Sequence, residues 1–165
     1  EMEDYERALY YLSFDAVQDN PKAQYNLGLM YKNGIGVKKD LNEALGWFVL
    51  GSNNGHMLSK YVLGLMYYKG EGINRNYNKA MNLFLDASYM GHPASQINVG
   101  NMFYFGQGVS KNYPIAHMWW SFAKEKGVEA AFNNLTMIEN KMTEGQLLEA
   151  QKLYNNCQKK TLPKC

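Results

Sequence analysis

The sequence has 165 residues, of which 46% are hydrophobic and 19% are charged, and its formal net charge is +2. This composition favours a packed core and excludes a wholly disordered chain. The small net charge argues against nucleic acid as a partner, because binding to phosphates requires a concentrated excess of lysine and arginine. No apolar run approaches the ~20 residues that a membrane-spanning helix needs.

One segment recurs along the chain at a fixed spacing of 36 residues. AQYNLGLMYKNGIG begins at Ala23, SKYVLGLMYYKGEG at Ser59 and SQINVGNMFYFGQG at Ser95. A second segment follows each copy with the same period, as in DLNEALGWFVLGSNNGH from Asp40. Apolar residues in both segments lie at helical spacing, so each repeat predicts a first helix, A, and a second helix, B. Repeats of this length are typical of solenoids, in which each unit buries its apolar face against its neighbours.

The ends of the helices carry their own signals. Helix B is preceded by residues that favour the N-cap position, namely Asp40, Asn76 and Asn112. The Gly-x-Gly loop between the helices resembles a phosphate-binding loop, but it recurs in every full repeat and follows a predicted helix. We therefore interpret its glycines as positive-φ residues that end helix A and reverse the chain. A further glycine inside helix A of each full repeat predicts a close approach between helices; these are Gly28, Gly64 and Gly100.

Nine helices are predicted in chain order, five of type B and four of type A. A single array spans residues 1–165 and begins within a repeat, with a helix B at 4–20. Full repeats follow at 22–57, 58–93 and 94–129, then a C-terminal capping helix pair at 130–157 and a tail at 158–165. Thr143 and Gln146 form a predicted capping box for the last helix.

This pattern resembles the Sel-one-like repeats, relatives of the tetratricopeptide repeats. The matching residues, with their counterparts 36 residues on, are Ala23, Leu27, Gly28, Met30, Tyr31, Gly34, Gly36, Val37, Asp40, Ala44, Trp47 and Gly55. The resemblance implies an all-α fold, a right-handed α/α superhelical solenoid, and a role as a protein-interaction scaffold. Bacterial members are often exported, so we expect a periplasmic or secreted location rather than a cytoplasmic one.

One stripe of helix A differs between the copies, unlike the residues that repeat for packing. In solenoids helix A lines the concave surface, so the stripe is a candidate site for a peptide or protein partner. Its candidate residues are Asn26, Leu29, Val62, Leu65, Lys69, Asn98, Asn101, Phe105 and Asn134, with Tyr68 and Tyr104 as exposed contacts at the rim. The alternative is an ordinary solvated face with some apolar residues buried between repeats.

The remaining aromatic residues of helix B are interpreted as core, namely Tyr11, Trp47, Phe48, Phe84, Trp119 and Trp120. The first helix B has an apolar face that predicts a homodimer through this end of the array. Neither a catalytic constellation nor a spacing of metal ligands is visible, so we predict no enzymatic activity, cofactor or metal.

Two alternatives to a binding scaffold remain. Cysteine-rich relatives of this repeat have been associated with β-lactam hydrolysis, but their cysteines recur in every repeat, and here none do. The other alternative is a structural segment of a larger protein whose binding site lies elsewhere.

The two cysteines, Cys157 and Cys165, lie close together in the sequence. Cys157 falls at a small, buried position of helix B, which suits a cysteine that acts as a small hydrophobic residue. The alternative is a disulfide between Cys157 and Cys165 in an oxidising compartment. The mass of the native protein with and without reductant distinguishes the two.

Overall fold

A computed structural model describes the backbone of residues 2–159 and the side chains of residue 5 and residues 7–158. Within these ranges the chain forms nine helices and no strand. The helices are α1 (Met2–Val17), α2 (Pro21–Asn33), α3 (Leu41–Asn53), α4 (Met57–Lys69), α5 (Tyr77–Tyr89), α6 (Pro93–Phe105), α7 (Tyr113–Glu125), α8 (Glu129–Glu139) and α9 (Glu144–Lys159). The all-helical fold class predicted from the sequence is confirmed.

The predicted helix ends are confirmed in detail. Asp40 caps α3 by accepting hydrogen bonds from the backbone N–H groups of Asn42 and Glu43, at 2.9 and 3.2 Å. Gly34 and Gly36 have φ values of 72° and 67°, which let α2 end and the chain turn back. The capping box of α9 is complete, because Thr143 and Gln146 each accept a hydrogen bond from the other's backbone N–H.

Two histidines cap helices of type A, a role that the sequence alone did not indicate. His56 Nδ1 accepts a hydrogen bond from the backbone N–H of Ser59 at 3.2 Å, at the start of α4. His92 Nδ1 accepts one from the N–H of Ser95 at 3.2 Å, at the start of α6. Nδ1 can accept only while it is unprotonated, so both caps require a neutral imidazole.

The helices form two compact units that divide within α5, between Leu83 and Phe84. In the first unit, α1 packs on α2, α2 on α3, and α3 on α4. One core cluster comprises Ala16, Ala23 and Leu27, and a second comprises Ala44, Phe48, Leu63 and Met66.

The second unit is organised around α7, which packs against α6, α8 and α9. Its core cluster comprises Tyr104, Ala116, Trp120, Leu135 and Ile138. Helix α9 therefore covers α7 at the position that the sequence assigns to a capping helix.

Tyr11 is a correction to the predicted aromatic core. Its side chain is 67% exposed, whereas Phe48, Phe84, Trp119 and Trp120 are buried as predicted. Helix α1 contacts α2 through the face that carries Leu9, Leu12 and Ala16. Tyr11 lies on another face of α1, which no described helix covers.

The mid-helix glycines allow close contact between helices A and B. A Cβ added to Gly28 would lie 2.7 Å from Cε1 of Phe48, and one added to Gly100 would lie 2.4 Å from Nε1 of Trp120. Both rings are almost fully buried, and Trp120 Nε1 also donates a hydrogen bond to the Ile97 carbonyl at 3.2 Å. Gly28 and Gly100 are therefore required by the aromatic rings that pack on them.

We expect Gly28→Ala to destabilise the protein, although alanine is the better helix former by about 1 kcal/mol. The new methyl group would overlap the Phe48 ring, and overpacking a core costs typically about 1–3 kcal/mol. The expected net loss in the free energy of unfolding is about 1 kcal/mol, measured by urea denaturation.

Gly46→Ala is the matched control, because Gly46 lies inside α3 and a Cβ there would have no heavy atom within 4 Å. This variant should gain up to about 1 kcal/mol from helix propensity alone. A Gly28→Ala variant as stable as Gly46→Ala would contradict the close-contact interpretation.

We also expect the protein to lose stability between pH 7.5 and pH 5.5. Burial lowers the pKa of both His56 and His92 below the usual value near 6.5, and Lys22 lowers that of His56 further. Above pH 6.5 the caps contribute fully. As the pH falls through 6.5, the unfolded chain takes up protons that the folded histidines resist, and stability falls. Losing an N-cap costs about 1 kcal/mol, which bounds the effect of each histidine.

The double variant His56→Asn, His92→Asn should remove this acid-dependent loss, because asparagine caps a helix without titrating. His117→Asn is the control, since His117 lies inside α7 and caps no helix. Urea midpoints at the two pH values measure the difference. An equal loss in the double variant and in the parent would show that other groups cause it.

Candidate functional site

The predicted stripe of helix A is only partly available for binding in the first unit. Asn26 and Leu65 are half-buried, and Lys69 is exposed. Leu29 and Val62 pack against the cluster around Phe48, so their side chains serve the core as well as the surface.

The rim of the first unit is held by ring contacts and an ion pair. Tyr68 is half-buried and lies 5.3 Å from the Tyr77 ring, measured between centroids. Lys32 of α2 forms an ion pair with Glu71, and this hydrogen bond holds the pKa of the Glu71 carboxyl below its usual range. These contacts fix the start of the loop that follows α4.

The second unit presents a cluster of three asparagines. Asn98 and Asn101 lie one helical turn apart on α6, and Asn134 lies on α8. All three are half-buried. The side-chain nitrogen of Asn134, Nδ2, donates a hydrogen bond to the side-chain oxygen of Asn101, Oδ1, at 3.4 Å. The carbonyl oxygen of Asn134 and the amide nitrogen of Asn101 are not used in this bond, so an acceptor and a donor remain on adjacent helices.

Phe105 lies at the end of α6 with 60% of its surface exposed. Tyr104, predicted as an exposed rim contact, is a correction, since only 8% of it is exposed. Its ring stacks on Tyr113 and forms part of the core cluster with Leu135 and Ile138. Residues after the third full repeat thus cover it.

Lys141 contacts the buried Tyr104 from the solvent side. Its ammonium group donates a hydrogen bond to the Tyr104 hydroxyl and lies 5.2 Å from the centre of the ring. The hydrogen bond raises the pKa of Lys141 above its usual range. A cation therefore lies near Phe105, whose ring contacts Tyr104 edge-on at 4.9 Å.

The structure brings together a histidine, a serine and a glutamate that the sequence did not associate. His117 Nε2 lies 2.9 Å from Glu139 Oε1, and its Nδ1 lies 3.4 Å from the Ser121 hydroxyl oxygen. The Ser121 hydroxyl donates to the His117 carbonyl at 2.9 Å. Ser121 lies inside α7, where backbone N–H groups bond within the helix and cannot stabilise an oxyanion. This arrangement does not support a serine nucleophile.

No group of three or more His, Cys, Asp or Glu side chains in the described part of the chain is placed to hold a metal ion. None of the described helices is both long enough and apolar enough to cross a bilayer.

Cys157 is 4% exposed, and its sulfur lies 3.5 Å from the Met118 sulfur. This is the buried position predicted for it in the last helix B. Cys165 lies outside the described residues, so the pairing of the two cysteines stays a prediction.

Two solved structures share this architecture. The crystal structure of a Sel1 repeat protein from Oxalobacter formigenes aligns with a TM-score of 0.74 at 29% identity, over 79% of this chain and 98% of that chain. The crystal structure of c5321, a protective antigen present in uropathogenic Escherichia coli strains, displays an SLR fold. It aligns with a TM-score of 0.57 at 21% identity, over 95% of this chain and 44% of that one, and so shows the fold alone.

Sequence comparison identifies the family directly. A search of curated protein sequences found no match. The family model for the Sel1 repeat matches residues 2–13, 21–56, 58–92 and 93–128, which together are well over half of the chain. Members of this family are generally protein-interaction scaffolds and typically lack catalytic activity. The chain therefore belongs to the Sel1 repeat family.

Proposed function

We propose that this protein is a scaffold that binds a peptide segment of a protein partner on its helix-A face. In solenoids of this type helix A lines the concave surface, where extended or helical segments bind. The observation that carries the proposal is the asparagine cluster of α6 and α8, which lies next to the exposed ring of Phe105.

The chemistry of this cluster suits a peptide backbone. Asparagine side chains offer both a donor and an acceptor, so they match the N–H and C=O groups of a chain laid across them. Phe105 offers an apolar contact for one side chain of that segment, because aromatic residues are enriched at interface cores. The first unit contributes less, since Leu29 and Val62 are already engaged with its core.

The competing functions have less support. A hydrolase would need a nucleophile with an oxyanion site, and Ser121 inside α7 lacks backbone donors for one. The role of a structural segment predicts no specific partner for the asparagine cluster. A periplasmic or secreted location stays a proposal, which fractionation of the native cells tests.

We expect the double variant Asn98→Arg, Asn101→Arg to weaken partner binding at least about tenfold. It removes two amide groups worth about 1 kcal/mol each and fills the face with bulk and charge. The partner is first identified by a pull-down from the native host, and its affinity for each variant is then measured by titration.

Asn133→Arg is the matched control, because Asn133 is exposed on α8 and adjacent to Asn134, but points about 100° away around the helix. It should bind like the parent protein. Unchanged affinity in the double variant, with circular dichroism showing an intact fold, would rule out this face as the binding site.

We also propose a homodimer through α1. Four large side chains of this helix are 57% exposed or more, namely Tyr10, Tyr11, Phe14 and Val17. A contiguous apolar patch of this kind is typical of an interaction site.

Light scattering tests the homodimer. We expect a dimer mass for the parent protein and a monomer mass at the same concentration for Tyr11→Glu, which places a charge in the patch. Tyr68→Glu, outside α1, should remain dimeric. A monomer mass for the parent protein would contradict the proposal.

A further inference from the structure

Two loops of the first unit lie side by side, the loop 34–40 that joins α2 to α3 and the loop 70–76 that joins α4 to α5. A Cβ added to Gly72 in the second loop would lie 2.8 Å from Cβ of Leu41, the residue that follows the first loop. Lys32, in the last turn of α2, forms an ion pair with Glu71 of the second loop. The two loops therefore contribute to one surface of the unit.

This surface carries an excess of positive charge. In the two loops and the helix turns that adjoin them, three residues are acidic, namely Asp40, Glu43 and Glu71. Six residues are basic, namely Lys32, Lys38, Lys39, Lys69, Arg75 and Lys79, and we call them the basic loop surface. Six cations less three carboxylates leave a charge of +3 on this part of the chain, whereas the whole sequence carries only +2.

Two ammonium groups of the basic loop surface converge on a carboxylate that is already paired. The hydrogen bond from Lys32 is the main cause of the lowered pKa of the Glu71 carboxyl, and the charges of Lys69 and Lys39 lower that pKa further. Lys39 and Lys69 are both exposed, and neither forms a hydrogen bond or an ion pair in the described part of the chain. Both ammonium groups are therefore free to bind a further carboxylate.

Local structure does not account for the lysines of the first loop. Lys39 directly precedes Asp40, the N-cap of α3, and the partial positive charge at the start of a helix disfavours a cation there. Lys38 places a second exposed cation next to it. Repulsion between like charges opposes the compact state, and an anionic partner relieves it.

We propose that the basic loop surface binds an acidic segment of a protein partner, whose carboxylates contact the ammonium groups of Lys39 and Lys69 beside Glu71. The ion pair between Lys32 and Glu71 shows that a glutamate side chain fits on this surface. Nucleic acid is a poorer match, because a phosphate backbone requires a longer basic stripe than two loops provide. The surface lies in the first unit, so the proposal does not depend on the asparagine cluster of the second.

A fluorescent glutamate-rich peptide is the probe, and the same peptide with glutamine in place of every glutamate is its control. Fluorescence anisotropy at low ionic strength measures the binding of each peptide to the whole protein. We expect the acidic peptide to bind saturably, the glutamine peptide to bind at least about tenfold more weakly, and added salt to weaken the acidic peptide. Equal binding of the two peptides, or no saturable binding of the acidic one, would overturn the proposal.

The double variant Lys39→Gln, Lys69→Gln should bind the acidic peptide at least about fivefold more weakly. Both side chains are exposed and form no internal ion pair in the described residues, so the circular dichroism spectrum should not change. Lys126→Gln, Lys152→Gln is the matched control, because it removes two exposed charges from the second unit. An equal loss in the control would show that overall charge attracts the peptide, and the proposal would fail.

Glu71→Gln tests the surface in the opposite direction. It removes the carboxylate that competes for the lysines and frees Lys32, so the acidic peptide should bind about threefold more tightly. Glu149→Gln removes the same charge from an exposed position on α9 and should bind like the parent. An unchanged affinity in Glu71→Gln, or an equal gain in both variants, would contradict the proposal.

A single-stranded oligonucleotide distinguishes the other class of anionic partner. We expect it to compete with the acidic peptide only weakly. An oligonucleotide that binds more tightly than the peptide, and that loses affinity in Lys39→Gln, Lys69→Gln, would assign the basic loop surface to nucleic acid and overturn the proposal.

Discussion

The contact between a helix-A glycine and a helix-B aromatic ring is the constraint on which the first and third full repeats depend. Gly28 meets Phe48 and Gly100 meets Trp120 at distances that leave no room for a side chain on helix A. Glycine weakens a helix, so its presence is explained by the burial of the ring, which contributes far more apolar area. The contact sets the separation of the two helices and fixes which face of helix A turns inward.

The face of helix A that is free of this contact is where binding chemistry can vary. Packing determines the residues around Gly28 and Gly100 but leaves positions such as Asn98 and Asn101 unconstrained. In the second unit these positions carry amides, with Asn134 bonded to Asn101. In the first unit Leu29 and Val62 at the stripe also pack against the core. The proposed site is therefore placed on the asparagines rather than spread evenly over the stripe.

Features that recur in several copies could be predicted from the sequence, because each copy repeats the same local physics. The helices, the caps of α3 and α7, and the positive-φ glycines belong to this group. Burial of an individual side chain depends instead on a neighbour that does not repeat. Tyr68 and Tyr104 hold one repeat position, yet Tyr104 is buried because Leu135 and Ile138 pack around it.

The side-chain oxygen of Gln96 accepts no hydrogen bond in the described part of the chain, and this was beyond sequence analysis for the same reason. The change from asparagine at 54 to lysine at 126 is visible in the aligned repeats. Its consequence can be recognised only from the structure, in which Asn54 donates a hydrogen bond to Gln24. One copy of the repeat can therefore serve as the reference for another, since Gln24 keeps the hydrogen bond that Gln96 lacks.

Two of the A helices, α4 and α6, differ from the B helices α3 and α7 in the side chain that caps their first turn. Carboxylate or amide side chains cap the B helices α3 and α7. Histidines cap the A helices α4 and α6. These two helices carry six of the nine stripe residues, namely Val62, Leu65, Lys69, Asn98, Asn101 and Phe105. Protonation of His56 and His92 therefore acts on two helices that bear the proposed binding face. Because weakening a helix weakens any site built on it, a peptide site on this face would lose affinity at the pH at which these two caps are lost.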